Sequence, residues 1–521
     1  MKTIKTILFL IILLTILGYH PRPVLATTNT TVTFNLSNSR HIPKAIHSVN
    51  QNWYTSIRID NNLMAEAINR LNFSDIRFSG GTVANYYDWT ALSPDWDYIL
   101  AHCSSLSFVC TSKSKYDIHV KTLSAIDFAK TITSYGRDNS FTLNLYTNTP
   151  EEIITALQKL KDNGIQIKRF ELGNEMYGYT DLVSNDKYIR RAKTITTAIR
   201  QKFPDAKVSV VINKDLLNNS HKVSWDIPNE NWFDAVVIHH YVLSRPPDRI
   251  VQWLTQNRLI EFDAFVNRVK AKYPGKELWL TEWNLREDPD YGVNYKYTNA
   301  YAHSYYVYSF LLNALRYPMI TTANYHSLST GDPHITVFRP KKTYKQQYFG
   351  SSPQQVPSGT YHLDQFFWKQ ASYWPMYWIG DSFKKFNKMT ISDTQNLLAV
   401  YFYSQSQPQK GNVALVNKSG TSLKLSFSGI DLAGQSLKLS TLIKSWDQVS
   451  SEGNEMTPTV TNVSLSNITI PAYAIAYLET TSAPAPNPAD LVDTGDTSGD
   501  QVNQYDANQL KADFGKTGVA G

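Results

Sequence analysis

Eight short hydrophobic runs recur along the chain, and longer stretches with helical periodicity separate most of them. Each run is rich in β-branched and aromatic residues and is short enough for a buried strand. In chain order the runs are KAIHSVNQ (44–51), DIRFSGG (75–81), SFTLNLYT (140–147), KRFELGNE (168–175), KVSVVIN (207–213), DAVVIHHY (234–241), ELWLTEWN (277–284) and ITTANYHS (320–327). The pattern therefore predicts eight strands.

Amphipathic helices are predicted in most of the gaps, most clearly at residues 62–71, 151–164 and 262–275. The last two end at glycine, which is a common helix stop. Strands that alternate with helices across residues 44–380 predict a (β/α)8 TIM barrel. The alternative is a doubly wound open sheet, which would need a glycine-rich phosphate-binding turn that we do not find in the sequence.

The pattern changes to short strands with regularly spaced turn residues at about residue 381, which predicts a β-sandwich over residues 381–480. Residues 31–37, within an N-terminal segment 27–43, alternate like a strand, and we expect them to pair into this sandwich. A Pro/Ala-rich linker follows at 481–491, and a short polar segment follows it at 492–521.

Residues 1–26 have the features of a secretory signal peptide. Lys2 and Lys5 precede an apolar run that is too short to span a bilayer, and Val24-Leu25-Ala26 resembles a cleavage site. The protein is therefore predicted to be secreted, with no membrane span after cleavage. An extracellular location permits a disulfide between Cys103 and Cys110, the two cysteines of the chain.

Net charge gives no reason to expect a nucleic-acid partner. Cleavage would remove Lys2, Lys5 and Arg22, so the formal charge would fall from +7 to +4 (7 − 3). The sequence contains no basic cluster. Aromatic residues make up 13% of the chain, and aromatic rings stack well on the apolar faces of sugars. Tyr86, Tyr87 and Trp89 follow the second run and are either sugar-stacking residues or part of the core.

Two glutamates lie where a barrel places its chemistry, at the carboxyl ends of strands. Glu175 ends the fourth run, and Glu282 lies near the end of the seventh, on the opposite side of the barrel. Glycoside hydrolysis needs two convergent carboxyl groups, one to protonate the leaving oxygen and one to attack or stabilise the anomeric carbon. The pair therefore suggests a glycosidase, although either residue alone could be an ordinary surface glutamate.

Further polar side chains at strand ends are candidate substrate contacts. Asn144 ends the third run, His239 and Tyr241 share one face of the sixth, and His326 ends the eighth. His239 could equally be a buried structural histidine. No further His or Cys has metal-ligand spacing, so neither a metal nor a cofactor is expected in catalysis.

The motifs ELGNE and LTEW, on the fourth and seventh runs, resemble the glycoside hydrolase clan of (β/α)8 barrels with catalytic glutamates on those strands. The resemblance implies that Glu175 is the acid/base, Glu282 the nucleophile and Asn174 a ligand of the sugar 2-hydroxyl. DIRFSGGTVANYYDW (75–89) resembles the α-L-arabinofuranosidase and heparanase-like branches, which implies that Arg77 lies near the nucleophile. These branches also carry a flanking β-sandwich. In the clan a Tyr or His of the sixth strand contacts the nucleophile, which implies this role for Tyr241, with His239 as the second choice.

The C-terminal stretch DTSGDQVNQYDANQLKADFG (496–515) resembles half of a dockerin. The resemblance implies a calcium loop that includes Asp496, Asp500 and Asp506, and a cohesin-like partner. Gln501 stands where such loops have glycine, and the loop is one residue short. The alternative is a polar tail with a terminal helix.

Together these features predict a secreted retaining glycoside hydrolase that acts on a polysaccharide or oligosaccharide. An α-L-arabinofuranosidase is the first expectation, because of the motif at 75–89 and the sandwich. The alternatives are a β-glycosidase of the same clan, such as a glucuronidase or a xylan- or glucan-active enzyme, and a non-catalytic carbohydrate-binding surface protein.

Overall fold

The computed structural model describes residues 27–51, 62–102, 110, 124–180, 183–213, 225–244, 254–255, 258–287, 297–328, 336–343 and 362–481. The predicted signal peptide, the linker and the calcium ligands Asp496, Asp500 and Asp506 lie outside these residues, as does Cys103. Cys110 is disulfide-bonded. Among the described residues, every helix is too short or too polar to cross a membrane.

The strands are numbered here along the chain. They are β1 (Thr27–Thr33), β2 (Arg40–His41), β3 (Ser48–Asn50), β4 (Asp75–Phe78), β5 (Tyr87–Asp88), β6 (Ser93–Pro94), β7 (Asp138–Leu143), β8 (Arg169–Leu172), β9 (Lys207–Val211), β10 (Ala235–Ser244), β11 (Glu277–Glu287), β12 (Ile320–Tyr325), β13 (Phe338–Pro340), β14 (Phe367–Lys369), β15 (Lys388–Asp393), β16 (Leu397–Ser404), β17 (Gln407–Asn417), β18 (Ser422–Ser428), β19 (Ser436–Leu442), β20 (Thr459–Val463), β21 (Ile468–Ile470) and β22 (Ile475–Thr481).

The α-helices are numbered in the same way. They are α1 (Asn62–Leu71), α2 (Trp96–Ala101), α3 (Ala125–Ser134), α4 (Pro150–Asp162), α5 (Asn185–Lys202), α6 (Arg258–Lys272), α7 (Tyr301–Ala314), α8 (Leu363–Phe366) and α9 (Tyr373–Lys385).

Eight parallel strands close into a barrel in chain order, β3-β4-β7-β8-β9-β10-β11-β12, with β12 paired to β3. Each of the eight hydrophobic runs supplies one of them, which confirms the predicted (β/α)8 fold. The predicted helices at 62–71, 151–164 and 262–275 correspond to α1, α4 and α6. A capping box at Thr149 and Glu152 begins α4, and this satisfies two backbone N–H groups that have no partner inside the helix.

The barrel interior is unusually polar, and strand alternation explains why. In β4 and β8, apolar side chains alternate with the charged side chains of Asp75, Arg77, Arg169 and Glu171. Successive side chains of a strand point to opposite faces, so all four charged residues share the inner face. Asp75, Arg77 and Glu171 are at most 3% exposed, so these charges must be paired inside the barrel.

The C-terminal domain consists of two sheets. A seven-stranded sheet has the order β2-β15-β16-β17-β22-β19-β20, and a three-stranded sheet has the order β1-β18-β21. Side chains from both sheets form one hydrophobic cluster, so the domain is a sandwich. The N-terminal strand lies at Thr27–Thr33 rather than 31–37, and it pairs in parallel with β18.

The sandwich and the barrel pack through α7, whose residues are all buried. Tyr301, Tyr305 and Tyr308 of this helix donate their hydroxyl groups to backbone carbonyls of Leu442, Asn417 and Ala476 at 3.0, 3.3 and 3.0 Å. Alternate residues of β16 face the sandwich core and the barrel-side core. These three tyrosines therefore connect the barrel to the sandwich by hydrogen bonds.

Candidate active site

Glu282 lies on β11, the seventh barrel strand, and is 4% exposed. Its Oε1 accepts a hydrogen bond from Arg77 Nη1 at 3.0 Å, and its Oε2 accepts one from the Tyr241 hydroxyl at 2.7 Å. His326 Nδ1 lies 3.2 Å from the same Oε2. Three side chains from the second, sixth and eighth barrel strands or their ends thus hold one carboxylate in a fixed orientation.

The surroundings of Glu282 favour its charged form. Burial alone would raise the pKa of this carboxyl group, but the positive charges of His239, His326 and Arg77 and the hydrogen bond with His326 lower it well below its usual value. Glu282 is therefore an ionised, oriented carboxylate at neutral pH. Such a group can act as a nucleophile or stabilise a developing positive charge.

Arg77 binds Glu282 on one side and Glu171 on the other. Arg77 Nε and Nη2 donate to Glu171 Oε2 and Oε1, both at 2.7 Å, in a bidentate pair. Nη2 also donates to Asn174 Oδ1 at 2.9 Å, and Nη1 to Asn50 Oδ1 at 3.2 Å. With the bond to Glu282, all five guanidinium N–H donors have an acceptor.

Sequence reasoning missed Glu171, although its position carried a signal. Phe170 and Leu172 flank it in β8, so a single charged side chain at this point of an apolar strand has to face the barrel interior. Burial raises the pKa of Glu171, but the charge and the hydrogen bonds of Arg77 and the charge of His239 lower it overall. Glu171 is therefore the counter-charge that fixes Arg77.

Glu175 lies just past the end of β8, and the local backbone explains its position. Gly173 has φ +88°, and a Cβ there would lie 2.4 Å from Met176 Cγ, so the Gly of LGNE is required. Glu175 itself has φ 46° and ψ 39°, a left-handed conformation that non-glycine residues rarely adopt. Its side chain is 36% exposed, in contrast to that of Glu282.

His239 lies between the carboxylates. Its Nδ1 is 2.9 Å from Glu175 Oε1 and 3.6 Å from Glu282 Oε2, and its Nε2 is 3.8 Å from Glu171 Oε1. Burial would lower the pKa of His239, but the charges of Glu282 and Glu175, the hydrogen bond with Glu175 and the nearby Glu171 carboxylate raise it to about 10. At neutral pH the ring is therefore an imidazolium that donates to Glu175.

The two glutamates are close enough to act on one bond. One oxygen of Glu175 and one oxygen of Glu282 lie within 4.8 Å of each other, with a His239 ring nitrogen within the same distance of both. Three ligand atoms at this spacing could in principle hold a metal ion. A metal bound there would have to displace the proton of His239, because only a neutral imidazole is a metal ligand.

The structure brings most of the predicted site residues together: Glu175, Glu282, Asn174, Arg77, His239, Tyr241 and His326. Asn144 is different, because its side chain is hydrogen-bonded within the fold. It is fully buried, and its side chain accepts from the backbone N–H of Tyr146 and Thr147 and donates to Tyr87 O. It closes the turn after β7.

The aromatic residues after the second barrel strand also have a different role from sugar stacking. Tyr87 and Trp89 are fully buried and belong to the main hydrophobic cluster, and Tyr86 is only 3% exposed. The open alternative, that they pack in the core, is therefore the correct one. Sequence reasoning instead missed Asn85, which accepts from Asn174 N at 3.2 Å and donates to Asn174 O at 2.8 Å.

Comparisons with models of protein families and with curated protein sequences gave no match. Comparison with solved structures did. The chain is similar to a family 51 α-L-arabinofuranosidase from Bifidobacterium longum, with TM-score 0.63 and 13% identity, over 87% of this chain and 100% of that one.

Two further solved structures share the architecture. An α-L-arabinofuranosidase from Thermotoga maritima in an arabinose complex has TM-score 0.59 and 15% identity, over 87% and 99% of the two chains. A glycoside hydrolase family 44 endoglucanase produced by Clostridium acetobutylium ATCC 824 has TM-score 0.54 and 11% identity, over 88% and 100%. At these identities the likeness is one of fold, a (β/α)8 barrel joined to β-sheets.

Proposed function

We propose that this protein is a secreted glycoside hydrolase that cleaves O-glycosyl bonds of a polysaccharide or oligosaccharide with retention of configuration. The observation that carries the proposal is the carboxylate pair, one buried and ionised and one half-exposed, with oxygens within 4.8 Å. Retaining glycosidases have carboxyl groups about 5–5.5 Å apart, and inverting ones about 6.5–9.5 Å.

In the proposed reaction Glu282 is the nucleophile. Its carboxylate attacks the anomeric carbon, and the bond to the leaving-group oxygen breaks. The hydrogen bonds from Arg77 and Tyr241 orient the attacking carboxylate. Water is largely excluded around Glu282, so these interactions are stronger than they would be at the surface.

Glu175 is the proposed acid/base. In its protonated form it gives a proton to the leaving oxygen in the first step, and as the carboxylate it takes a proton from the attacking water in the second. Its exposure suits both steps, because the leaving group departs and water arrives on that side. His239 orients the Glu175 carboxyl group through the hydrogen bond at Nδ1. Asn174, held by Arg77 and Asn85, is the proposed ligand of the sugar 2-hydroxyl.

The proposed substrate specificity is α-L-arabinofuranosidase-like, supported by the motif at 75–89 and by the fold likeness to two arabinofuranosidases. The test is a panel of nitrophenyl glycosides with the purified protein. We expect the highest kcat/KM on the α-L-arabinofuranoside, and NMR should detect first the product anomer of retained configuration. An inverted first product would contradict the mechanism.

A β-glycosidase of the same clan is the second candidate, and the fold likeness to a family 44 endoglucanase favours it. This candidate predicts new reducing ends from a soluble β-glucan, together with little activity on aryl arabinofuranosides. A non-catalytic sugar-binding protein would instead bind polysaccharide and hydrolyse none of these substrates. The calcium site and the cohesin-like partner proposed for the C-terminal segment remain predictions from its sequence.

A further inference from the structure

A cluster of four tyrosines lies beside Glu175 and takes no part in the proposed chemistry. Tyr86 forms its buried base, and Tyr98, Tyr146 and Tyr179 are partly exposed. The ring centres of Tyr146 and Tyr179 are 4.6 Å apart, and Tyr86 and Tyr98 stack at 5.8 Å. The Tyr98 hydroxyl donates to that of Tyr146 at 3.4 Å.

The cluster is fixed at the catalytic end of the barrel. Its members follow the second, third and fourth barrel strands, whose carboxyl ends meet at that face. Tyr179 is four residues beyond Glu175, and its side chain is hydrogen-bonded with Tyr86 and Asn85. The charge of Glu175 also contributes to the raised pKa of Tyr179, after the larger effect of burial, so the two groups are neighbours.

The proposed mechanism determines on which side of the site the leaving group lies. The general acid has to reach the glycosidic oxygen, so the leaving group lies on the Glu175 side of the broken bond. Glu282, by contrast, is enclosed by Arg77, Tyr241 and His326. A sugar in the leaving-group position is therefore placed next to the exposed parts of the tyrosine cluster.

We propose that Tyr98, Tyr146 and Tyr179 form a binding subsite for the sugar ring of the leaving group. The inference rests on the proposed function and extends it, because the ligand is a further sugar unit of the substrate chain. The Tyr98 ring stacks on His102 with ring centres 4.1 Å apart, so one of its faces is covered. The ring surface of the three tyrosines that remains partly exposed can pack on the apolar C–H face of a sugar, and the phenolic hydroxyl groups can bond its hydroxyls. The buried Tyr86 supports these rings from below.

The test compares two substrates that share one transferred sugar, chosen as the one that the nitrophenyl panel identifies. The first is an oligosaccharide, whose leaving group is a sugar, and the second is the glycosyl fluoride, whose leaving group fills no subsite. Tyr98→Ala should lower kcat/KM on the oligosaccharide about ten-fold and leave that on the fluoride unchanged. Tyr98→Phe, which keeps the ring, should retain most of the activity on both.

Tyr377→Ala is the matched control. Tyr377 is also a partly buried tyrosine stacked on another, Tyr373 at 6.0 Å, but it lies on α9. It should leave both substrates unaffected. If Tyr98→Ala lowers both rates equally, the cluster only supports the loops around Glu175, and the proposal is wrong. If it lowers neither, the proposal is also wrong.

Binding separates failure of the subsite from failure of the proposed function. In the full chain carrying Glu282→Gln, calorimetry with the oligosaccharide should show about ten-fold weaker binding when Tyr98→Ala is added. If the wild-type protein hydrolyses neither substrate, the proposed function fails. The calorimetric difference still decides whether the tyrosines bind a sugar, and an unchanged affinity would overturn the subsite.

Discussion

Glu282 and Glu175 are the same type of residue at equivalent strand ends of one barrel, yet their surroundings are opposite. The Glu282 side chain is 6% exposed and contacts Arg77, Tyr241 and His326, whereas the Glu175 side chain is 36% exposed and contacts His239. The difference teaches that neighbours, not position on a strand, determine how strongly each carboxylate is buried and paired.

Four charged groups of the site are buried and paired with one another. Glu171 and Glu282 are two buried anions, and Arg77 and protonated His239 are two buried cations in contact with them. Buried charges persist only when they are paired in this way. Glu175 lies at the exposed side of this set of four, and the 2.9 Å hydrogen bond with His239 Nδ1 connects it to the buried charges.

The largest expected effect comes from Glu282→Gln, which keeps the shape of the side chain and removes its charge. Because an amide cannot attack the anomeric carbon, kcat should fall by about four orders of magnitude or more for every leaving group. The measurement is turnover of nitrophenyl and dinitrophenyl glycosides. Activity within ten-fold of wild type would remove Glu282 from the nucleophile's role.

Glu175→Ala should have a smaller effect that depends on the leaving group. Loss of a general acid costs about 100- to 10,000-fold where the leaving group needs a proton. Dinitrophenolate needs none, so its departure should survive, and hydrolysis of the glycosyl-enzyme should become the slow step. The time course of dinitrophenolate release should therefore show a burst followed by slow turnover.

Azide distinguishes the two glutamates directly. It needs no general base, so it should restore turnover of Glu175→Ala and give a glycosyl azide of retained configuration. In Glu282→Ala it should occupy the nucleophile's space and give the inverted azide. If the two variants exchange these behaviours, the assigned roles must also be exchanged.

Arg77→Met tests the buried half of the comparison. The substitution keeps much of the side-chain volume but leaves Glu171 and Glu282 without their shared cation. Breaking a buried ion pair in this way costs about 3–5 kcal/mol, so the free energy of unfolding in urea should fall by this amount. The double variant Arg77→Met, Glu171→Gln should recover part of the loss, and no recovery would show that the pairing is not the cause.

The eight barrel strands could be read from the sequence because each is a short apolar run, and Glu175 and Glu282 because strand ends collect at one face. Strand bounds were less accurate, as the N-terminal strand shows. Thr27–Thr33 pairs with β18, about 395 residues away in sequence. The local alternation of apolar and polar residues does not identify such a distant partner strand.

The errors in the site have a common cause. Asn144 was expected at the catalytic face because it follows a barrel strand, but it is buried through contacts with the neighbouring turn. Glu171 and Tyr179 were missed because their roles depend on partners from other strands, Arg77 and Tyr86. One-dimensional patterns give the direction of a side chain on a strand, not what the adjacent loop places over it.

The smallest expected effect concerns His239, which lies between the two glutamates and faces Glu171, Glu175 and Glu282. Its pKa is about 10 in the folded protein and about 6.5 in the unfolded chain. A raised folded-state pKa gives stability that is fully present below pH 6.5 and is lost as the pH rises through 10.

His239→Asn keeps a donor near the Nδ1 position but does not titrate. The difference in free energy of unfolding between wild type and this variant, measured in urea, should therefore fall by on the order of a few kcal/mol from pH 6.5 to pH 10. The tyrosines and lysines titrate in both proteins, so their contributions to the free energy of unfolding cancel in the difference. A difference that stays constant over this range would mean that His239 is neutral, and that Glu175 and Glu282 share no cation.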